Sequence, residues 1–318
     1  MSPVRLGLLS TANINRHIVV GARVSEEVEV VAVASRDGAR AEAYAREHAI
    51  ERAHGSYEAL LADPGVDAVY VSLPNSLHVD WSVRALEAGK HVLCEKPFAR
   101  RPEDVELAFD AAEHAGLVLA EAFMYRHHPQ TARVAELVRG GAIGELRAVR
   151  AAFSFPLSNG DNVRLRPELD GGSLMDVGCY CVSGIRLLAG EPEGVSGEQV
   201  LGPTGVDLTF AGALRLPEDV VATFHASMAL PSRQELEALG SEGTLLVQAP
   251  WRVDFGGDVL LRRGGEVERV EVPQADAYRC ELDDFAAAVR GEREPLLGRD
   301  DALGQARAID ALYRAAAR

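Results

Sequence analysis

Val4-Arg5-Leu6-Gly7-Leu8-Leu9-Ser10-Thr11-Ala12-Asn13-Ile14-Asn15 is an apolar run that stops abruptly on small and polar residues. Val4–Leu9 reads as a buried strand, and Asn15–Val24 follows as a helix with Ile18, Val19 and Ala22 on one side. The same grammar repeats outward from this corner. Val28–Ala34 is a second, valine-rich strand, and Ala39–His48 a second helix. Ser56 is placed to cap a short helix over Tyr57–Leu61. Ala68–Ser72 is a third core strand, followed by a helix over Leu77–Ala88 that Gly89 ends. His91–Cys94 is a fourth strand. Pro102, with Glu103 and Asp104 behind it, starts a helix that stops at Gly116, and Leu117–Ala120 forms one more strand. The strands do not alternate apolar and polar residues, so both their faces are buried. That pattern predicts a doubly wound parallel α/β sheet of Rossmann type, with helices on both faces. Its ligand crevice belongs at the carboxyl ends of the strands.

Past Tyr125 the pattern changes. Helices are predicted over Gln130–Arg139 and Val177–Leu188. Longer β-type runs occur at Glu145–Phe155, Val206–Leu214, Val220–Ala229, Gln234–Leu239, Thr244–Val247, Val259–Arg263 and Glu266–Val272. Several of these alternate, which predicts a C-terminal α+β domain on an open, mostly antiparallel sheet with one solvated or partner-covered face. Helices over Glu281–Val289 and Asp301–Ala317 close the chain. The expected domains are 1–125 and 126–318. A sheet face in need of cover predicts a homo-oligomer, in the simplest case a homodimer.

The chain has 318 residues, with 48 acidic side chains against 33 Lys and Arg and a net charge of −15. That field repels nucleic acid and anionic membrane. Cys94, Cys179, Cys181 and Cys280 form no C-x-x-C pair, and no His cluster has zinc spacing, so no metal site is expected and the thiols read as reduced. The N-terminal segment lacks signal-peptide character, and no apolar stretch approaches membrane-spanning length. A cytoplasmic location follows as the expectation.

A dinucleotide site needs small residues between the first strand and first helix, so that backbone and helix N-terminus approach a pyrophosphate. The three positions that glycines commonly fill are Ser10, Ala12 and Asn15 here. Ser10 and Ala12 are small, and Ser10, Thr11 and Asn13 offer polar side chains, so Ser10 to Ile14 form the candidate pyrophosphate turn. At the end of the second strand, where an acid would bind a ribose 2′-hydroxyl, stand Ser35 and Arg36. A hydroxyl and a guanidinium suit a 2′-phosphate, which predicts NADP. NAD is the alternative if Arg36 is an ordinary surface charge and Asp37 makes the sugar contact.

Four further stretches carry chemistry: Ser72-Leu73-Pro74-Asn75-Ser76-Leu77-His78; Gly89-Lys90-His91-Val92-Leu93-Cys94-Glu95-Lys96-Pro97; Glu121-Ala122-Phe123-Met124-Tyr125-Arg126-His127-His128-Pro129; and Gly171 to Tyr180, which contains Asp176-Val177-Gly178-Cys179-Tyr180. Together they resemble the glucose-fructose oxidoreductase/inositol dehydrogenase (Gfo/Idh/MocA) family, over most of the chain and in order. Glu121–Pro129 and Asp176–Tyr180 are most similar to its trans-1,2-dihydrodiol dehydrogenase and D-xylose dehydrogenase branch.

The resemblance implies a nicotinamide-dependent oxidoreductase acting on a hydroxyl or carbonyl carbon of a sugar, cyclic polyol or dihydrodiol. It makes Lys96 the central group, with Tyr180 as acid/base and Asp176 orienting a neighbouring hydroxyl. Hydride removal from an alcohol requires a base for the hydroxyl proton, and an ammonium near the phenol favours the phenolate. The resemblance also implies cofactor contacts from Leu73, Pro74, Asn75, His78 and Glu95. Substrate contacts are implied for Glu121, Arg126 and Arg164, besides Asp176 and Tyr180. Two other activities occur among similar proteins: redox-assisted glycoside processing, and non-catalytic regulation. A regulator would be expected to lack Lys96 or the Asp176/Tyr180 pair. Cys179 and Cys181, beside Tyr180, read as small core residues.

Overall fold

The computed structural model describes residues 2–158 and 160–317. Strands β1 (Val4–Leu8), β2 (Val28–Ala34), β3 (Arg52–His54), β4 (Ala68–Val71), β5 (His91–Glu95) and β6 (Leu119–Ala122) alternate with helices. These are α1 (Asn15–Arg23), α2 (Gly38–His48), α3 (Tyr57–Leu61), α4 (His78–Glu87) and α5 (Pro102–Ala115). Among the described residues the strands form a six-stranded parallel sheet in the order β3-β2-β1-β4-β5-β6. Every residue of β4 is buried, as two helix-covered faces demand. Each fully buried Val or Leu of such a strand stabilises the fold by about 1.5–3 kcal/mol. The expected local signals act as read. Ser56 accepts a backbone N–H bond as the cap of α3, and Pro102 stands in the first turn of α5. Gly116 ends α5 at φ 65°. The chain runs outward from β1 to β3, then crosses to β4. The topological switch therefore lies between β1 and β4, where a doubly wound sheet opens its ligand crevice.

The chain next forms α6 (Pro129–Arg139), β7 (Leu146–Ser154) and α7 (Cys179–Ala189). Seven more strands follow: β8 (Gly194–Leu201), β9 (Asp207–Arg215), β10 (Val221–Ser227), β11 (Arg233–Gly240), β12 (Gly243–Val247), β13 (Val259–Arg263) and β14 (Glu266–Val270). With β7 they build an eight-stranded sheet among the described residues, in the order β14-β13-β12-β11-β7-β10-β9-β8. All its pairs are antiparallel except β7 with β10. One face carries Val149, Phe224, Phe210, Leu214 and Leu236, all buried, and α7 packs on β7, β10 and β11. The other face presents Arg150, opposite Glu237 and Thr223, and the exposed Val221.

Two last helices, α8 (Ala277–Val289) and α9 (Arg299–Ala316), end the fold. The chain divides into two compact units: the part up to His127 with Ala275–Leu303, and His128–Gln274 with the part from Gly304 onward. The first crossing lies two residues from the boundary expected at 125. The return of Ala275–Leu303 to the first unit has a packing cause. Gly21 of α1 has no side chain, and a Cβ there would stand 2.9 Å from the backbone nitrogen of Arg279, so α8 sits directly on α1. His17 stacks on Tyr278 at 4.9 Å, and Ser25 donates to Asp283 at 2.5 Å. Arg290 pairs with Glu27 at 2.7 Å. Among the described residues no helix is long and apolar enough to cross a membrane.

Candidate active site

In the first unit the ends of β1 and β4 are tied together. Ser10 Oγ lies 2.7 Å from Ser72 Oγ and 3.1 Å from the Ser72 carbonyl, and it accepts the Ala12 N–H at 3.0 Å. Asn15, at the third position of the turn, is fully buried and donates from Nδ2 to the Ser10 carbonyl at 2.7 Å. The side chain that replaces a glycine here closes the turn from inside. Ile14, at the N-cap of α1, offers no side-chain acceptor, so the first-turn N–H groups have no side-chain cap. Thr11, Ala12 and Ile14 are partly exposed and Asn13 is exposed. The Asn15, Arg16 and His17 N–H groups go to the carbonyls of Ala12, Asn13 and Ile14, so the part of this corner that fits a pyrophosphate is the small-residue turn ahead of the helix, with the helix dipole behind it.

At the tip of β2, Ser35 is buried and its Oγ accepts the Asp37 N–H at 3.2 Å. Asp37 Oδ1 in turn accepts the Arg40 N–H at 3.2 Å, so this carboxylate caps α2. Arg36 is exposed. The donor set beside the strand tip is a hydroxyl and a guanidinium, which fits a phosphate better than a sugar hydroxyl.

Lys96 follows the last residue of β5, at the carboxyl end of the sheet, and is partly exposed; the Lys96–Pro97 peptide is cis. Two buried groups frame this turn. His78 is 0% exposed, with Nδ1 3.0 Å from the Pro97 carbonyl and Nε2 2.8 Å from the Leu73 carbonyl. Burial pulls its imidazole down to about 4, against these two carbonyls, so near pH 7 the ring is neutral and its single N–H donates to one of them while it packs between the Leu73 and Pro97 backbone. Glu121 is 1% exposed, and its Oε1 accepts the Phe98 N–H at 2.8 Å. Its carboxylate thus supports the backbone two residues beyond Lys96. Glu95 accepts the Lys96 N–H on Oε2 at 3.2 Å and the Tyr70 hydroxyl on Oε1. Pro74 and Asn75 are partly exposed, whereas Leu73 is buried. Arg126 pairs with Asp301 at 3.3 Å, and His127 with Asp284 at 3.5 Å. Burial pulls the His127 imidazole down to about 4.

The second unit holds Asp176 and Tyr180. The sequence pattern predicts a regular helix from Val177, but α7 begins at Cys179, after a wider π-type turn over Leu174–Gly178 that contains Asp176. Such turns recur at functional sites. Asp176 accepts Arg164 Nε at 2.6 Å, and the Arg164 guanidinium lies 5.9 Å from the Phe155 ring centroid. Arg166 pairs instead with Asp161, at 2.7 Å. Tyr180 is 6% exposed, edge-on to Phe153 at 5.4 Å and tilted against Trp251 at 6.1 Å. Cys181 is buried, which pushes its thiol well above the ordinary range and leaves it inert.

Three groups escape sequence reading: Tyr70 on Glu95, Glu281 buried on α8, and Asp207 on β9. Tyr70 sits inside an apolar strand, and neither acid belongs to a motif. The partners of Tyr70 and Asp207 lie far away in sequence, and Glu281 is buried by packing, so no local signal announces them.

Residues 9–123 match the model of an oxidoreductase family with an NAD-binding Rossmann fold, and residues 131–246 match the GFO/IDH/MocA C-terminal domain. D-xylose 1-dehydrogenase (NADP(+)) 2 of Haloferax volcanii is 41% identical over 314 residues, covering 98% of this chain and 96% of that protein. Trans-1,2-dihydrobenzene-1,2-diol dehydrogenase of Danio rerio is 33% identical over 250 residues, or 77% of this chain and 75% of that one. A crystal structure of a 3-ketoreductase from Actinomadura kijaniata, in complex with NADP and TDP-benzene, superposes with a TM-score of 0.91 at 32% identity, covering 98% of each chain. With both family models matched in order and relatives similar along its length, this chain belongs to the Gfo/Idh/MocA family of oxidoreductases.

Proposed function

We propose that the protein is an NADP-dependent dehydrogenase that oxidises an aldose at its anomeric carbon to a lactone. The cofactor half of this reading is supported most directly by the tip of β2, where the Asp37 carboxylate caps α2 and Arg36 stands exposed beside Ser35. The substrate half is supported by the similarity to a D-xylose 1-dehydrogenase along 98% of the chain. Ser10 to Ile14 would hold the pyrophosphate, Ser35 and Arg36 the 2′-phosphate, and Leu73 to Asn75 the nicotinamide side.

A bound nicotinamide supplies the hydride acceptor, and the chain's residues manage the proton and the geometry. The Lys96 ammonium donates a hydrogen bond to the reacting oxygen and favours its anionic form. Tyr180, as the phenolate, takes the hydroxyl proton while the C–H electron pair leaves; in reverse, the phenol returns that proton to the carbonyl oxygen. Asp176 orients a neighbouring hydroxyl with Arg164 beside it. Glu121 and His78 hold the Lys96 turn. A second reading, reduction of a keto sugar, draws on the likeness to the 3-ketoreductase. The open face of the eight-stranded sheet is proposed to be covered by a second copy in a homodimer, and the protein to work in the cytoplasm.

A panel of aldoses, inositols and dihydrodiols, assayed with NADP and NAD by absorbance of the reduced cofactor, tests the reading. Formation of NADPH with D-xylose or a related aldose supports it. Turnover confined to reduction of keto sugars would replace it with the second reading. Sedimentation at assay concentration tests the dimer, and a monomer mass refutes it.

A further inference from the structure

Asp207 opens β9 and is 2% exposed, yet its carboxylate takes three hydrogen bonds. Ser173 Oγ and the Leu174 N–H both donate to Oδ2 at 2.7 Å, and the Tyr313 hydroxyl donates to Oδ1 at 2.9 Å. Gly172, at φ 123°, makes room: a Cβ there would collide with Asp207 Oδ1. The Gly172 carbonyl accepts the Asp176 N–H at 3.0 Å. One carboxylate therefore pins the entrance of the turn that carries Asp176. The far side of the segment is also held. Gln305, 1% exposed on α9, donates from Nε2 to the Cys179 carbonyl at 2.7 Å and accepts Arg186 Nη1 at 3.0 Å. Cys179 directly precedes Tyr180.

We propose that Asp207 and Gln305 are positioning residues that fix where Asp176 and Tyr180 stand relative to a substrate. The proposal rests on the reading of those two as reacting-site residues. The carboxylate serves two donors on Oδ2 and a third on Oδ1. In Asp207→Asn the amide oxygen can keep Ser173 and Leu174, but the NH2 meets the Tyr313 hydroxyl, which must turn to accept, and the charge that strengthens all three bonds is lost. A π-type turn has wider geometry than an α-helix and needs outside contacts to hold one shape. Small displacements of a proton-transferring group cost rate while leaving cofactor affinity alone.

The test uses the full chain, with NADP and the best aldose of the panel. Asp207→Asn and Gln305→Leu are each expected to lower kcat at least ~10-fold, while the Kd for NADPH, by fluorescence titration, stays within about two-fold. Asp207→Asn combined with Asp176→Asn, and Gln305→Leu combined with Tyr180→Phe, are each expected to add less than about three-fold, because each acts through the residue already altered. Lowered thermal stability with unchanged kcat per folded molecule would reduce both residues to structural supports and overturn the proposal; so would fully multiplicative losses. Should Tyr180→Phe itself stay active, the assigned chemistry fails, and hydrogen exchange over 172–181 decides the positioning separately. Faster exchange there in Asp207→Asn, with the rest of the unit unchanged, supports pinning, and unaltered exchange overturns it. If Asp207→Asn does not fold, Ser173→Ala and Tyr313→Phe, each removing one donor, carry the same comparison.

Discussion

Arg164 Nε donates to Asp176 Oδ2 across 2.6 Å, placing a cation on the carboxylate proposed to orient the sugar. The Arg164 side chain is 41% exposed, so the pair contributes no more than about 1 kcal/mol to stability. Its effect belongs to binding. Arg164→Met is expected to leave thermal stability nearly unchanged and to raise the sugar KM about ten-fold, with a smaller change in kcat. Steady-state kinetics check this; an unchanged KM removes Arg164 from the substrate site.

Arg36 is exposed beside the buried Ser35, and the next carboxylate, Asp37, caps α2. A charge-assisted hydrogen bond to a phosphate contributes about 1.5–3 kcal/mol. Arg36→Ala should therefore lower kcat/KM for NADP by roughly 10- to 10²-fold and leave the value for NAD within a few-fold. Equal losses with both cofactors, or a wild type that strongly prefers NAD, would defeat the assignment.

Glu281 is 1% exposed, and its Oε1 has no hydrogen-bond partner among the described residues. Burial, reinforced by Glu95 and Asp284, pushes its carboxyl well above the ordinary 4.5. A raised folded value means that the proton is kept in the native state and released on unfolding. Its contribution is full below 4.5 and declines as pH rises toward the folded value, by about 1.4 kcal/mol per pH unit. Glu281→Gln, which cannot ionise, is expected to gain on the wild type between pH 5 and pH 8. Urea unfolding at both values measures the gap; a gap independent of pH contradicts a neutral buried acid.

How much of this was legible in the sequence depended on whether a residue's partner was local. β2 and β13 match the reading to the residue, because a short apolar run between turn residues has one good register. β6 lies two residues later than the Leu117–Ala120 expected. Gly116 adopts the left-handed C-cap, the Leu117 N–H returns to the Ala112 carbonyl, and the Val118 N–H goes to His91 Nδ1, so the ladder starts only afterwards. β3 and β8 were not anticipated. β3 is three residues of an edge, and β8 is an edge strand of Gly, Ser, Glu and Gln with little apolar content. α8 starts at Ala277 rather than Glu281, because Asp276 caps it four residues earlier.

At the candidate site, the motifs single out Lys96, Asp176 and Tyr180 as candidates but not what holds them. Glu121 and His78 belong to quoted motifs, yet their carboxylate and imidazole face backbone groups around the Lys96 turn. Asp207 and Gln305 reach the Asp176 turn from β9 and α9. Such pairings are set by topology, which brings distant residues together without leaving a spacing to read.

Lys96 and Tyr180 are proposed to carry the proton and charge work of hydride transfer. The decisive measurement is turnover of the best aldose with NADP by Lys96→Met and Tyr180→Phe, alongside their Kd for NADPH. In each variant kcat is expected to fall at least ~10²-fold below wild type, with cofactor affinity within a few-fold. Near-normal turnover in either variant would contradict it.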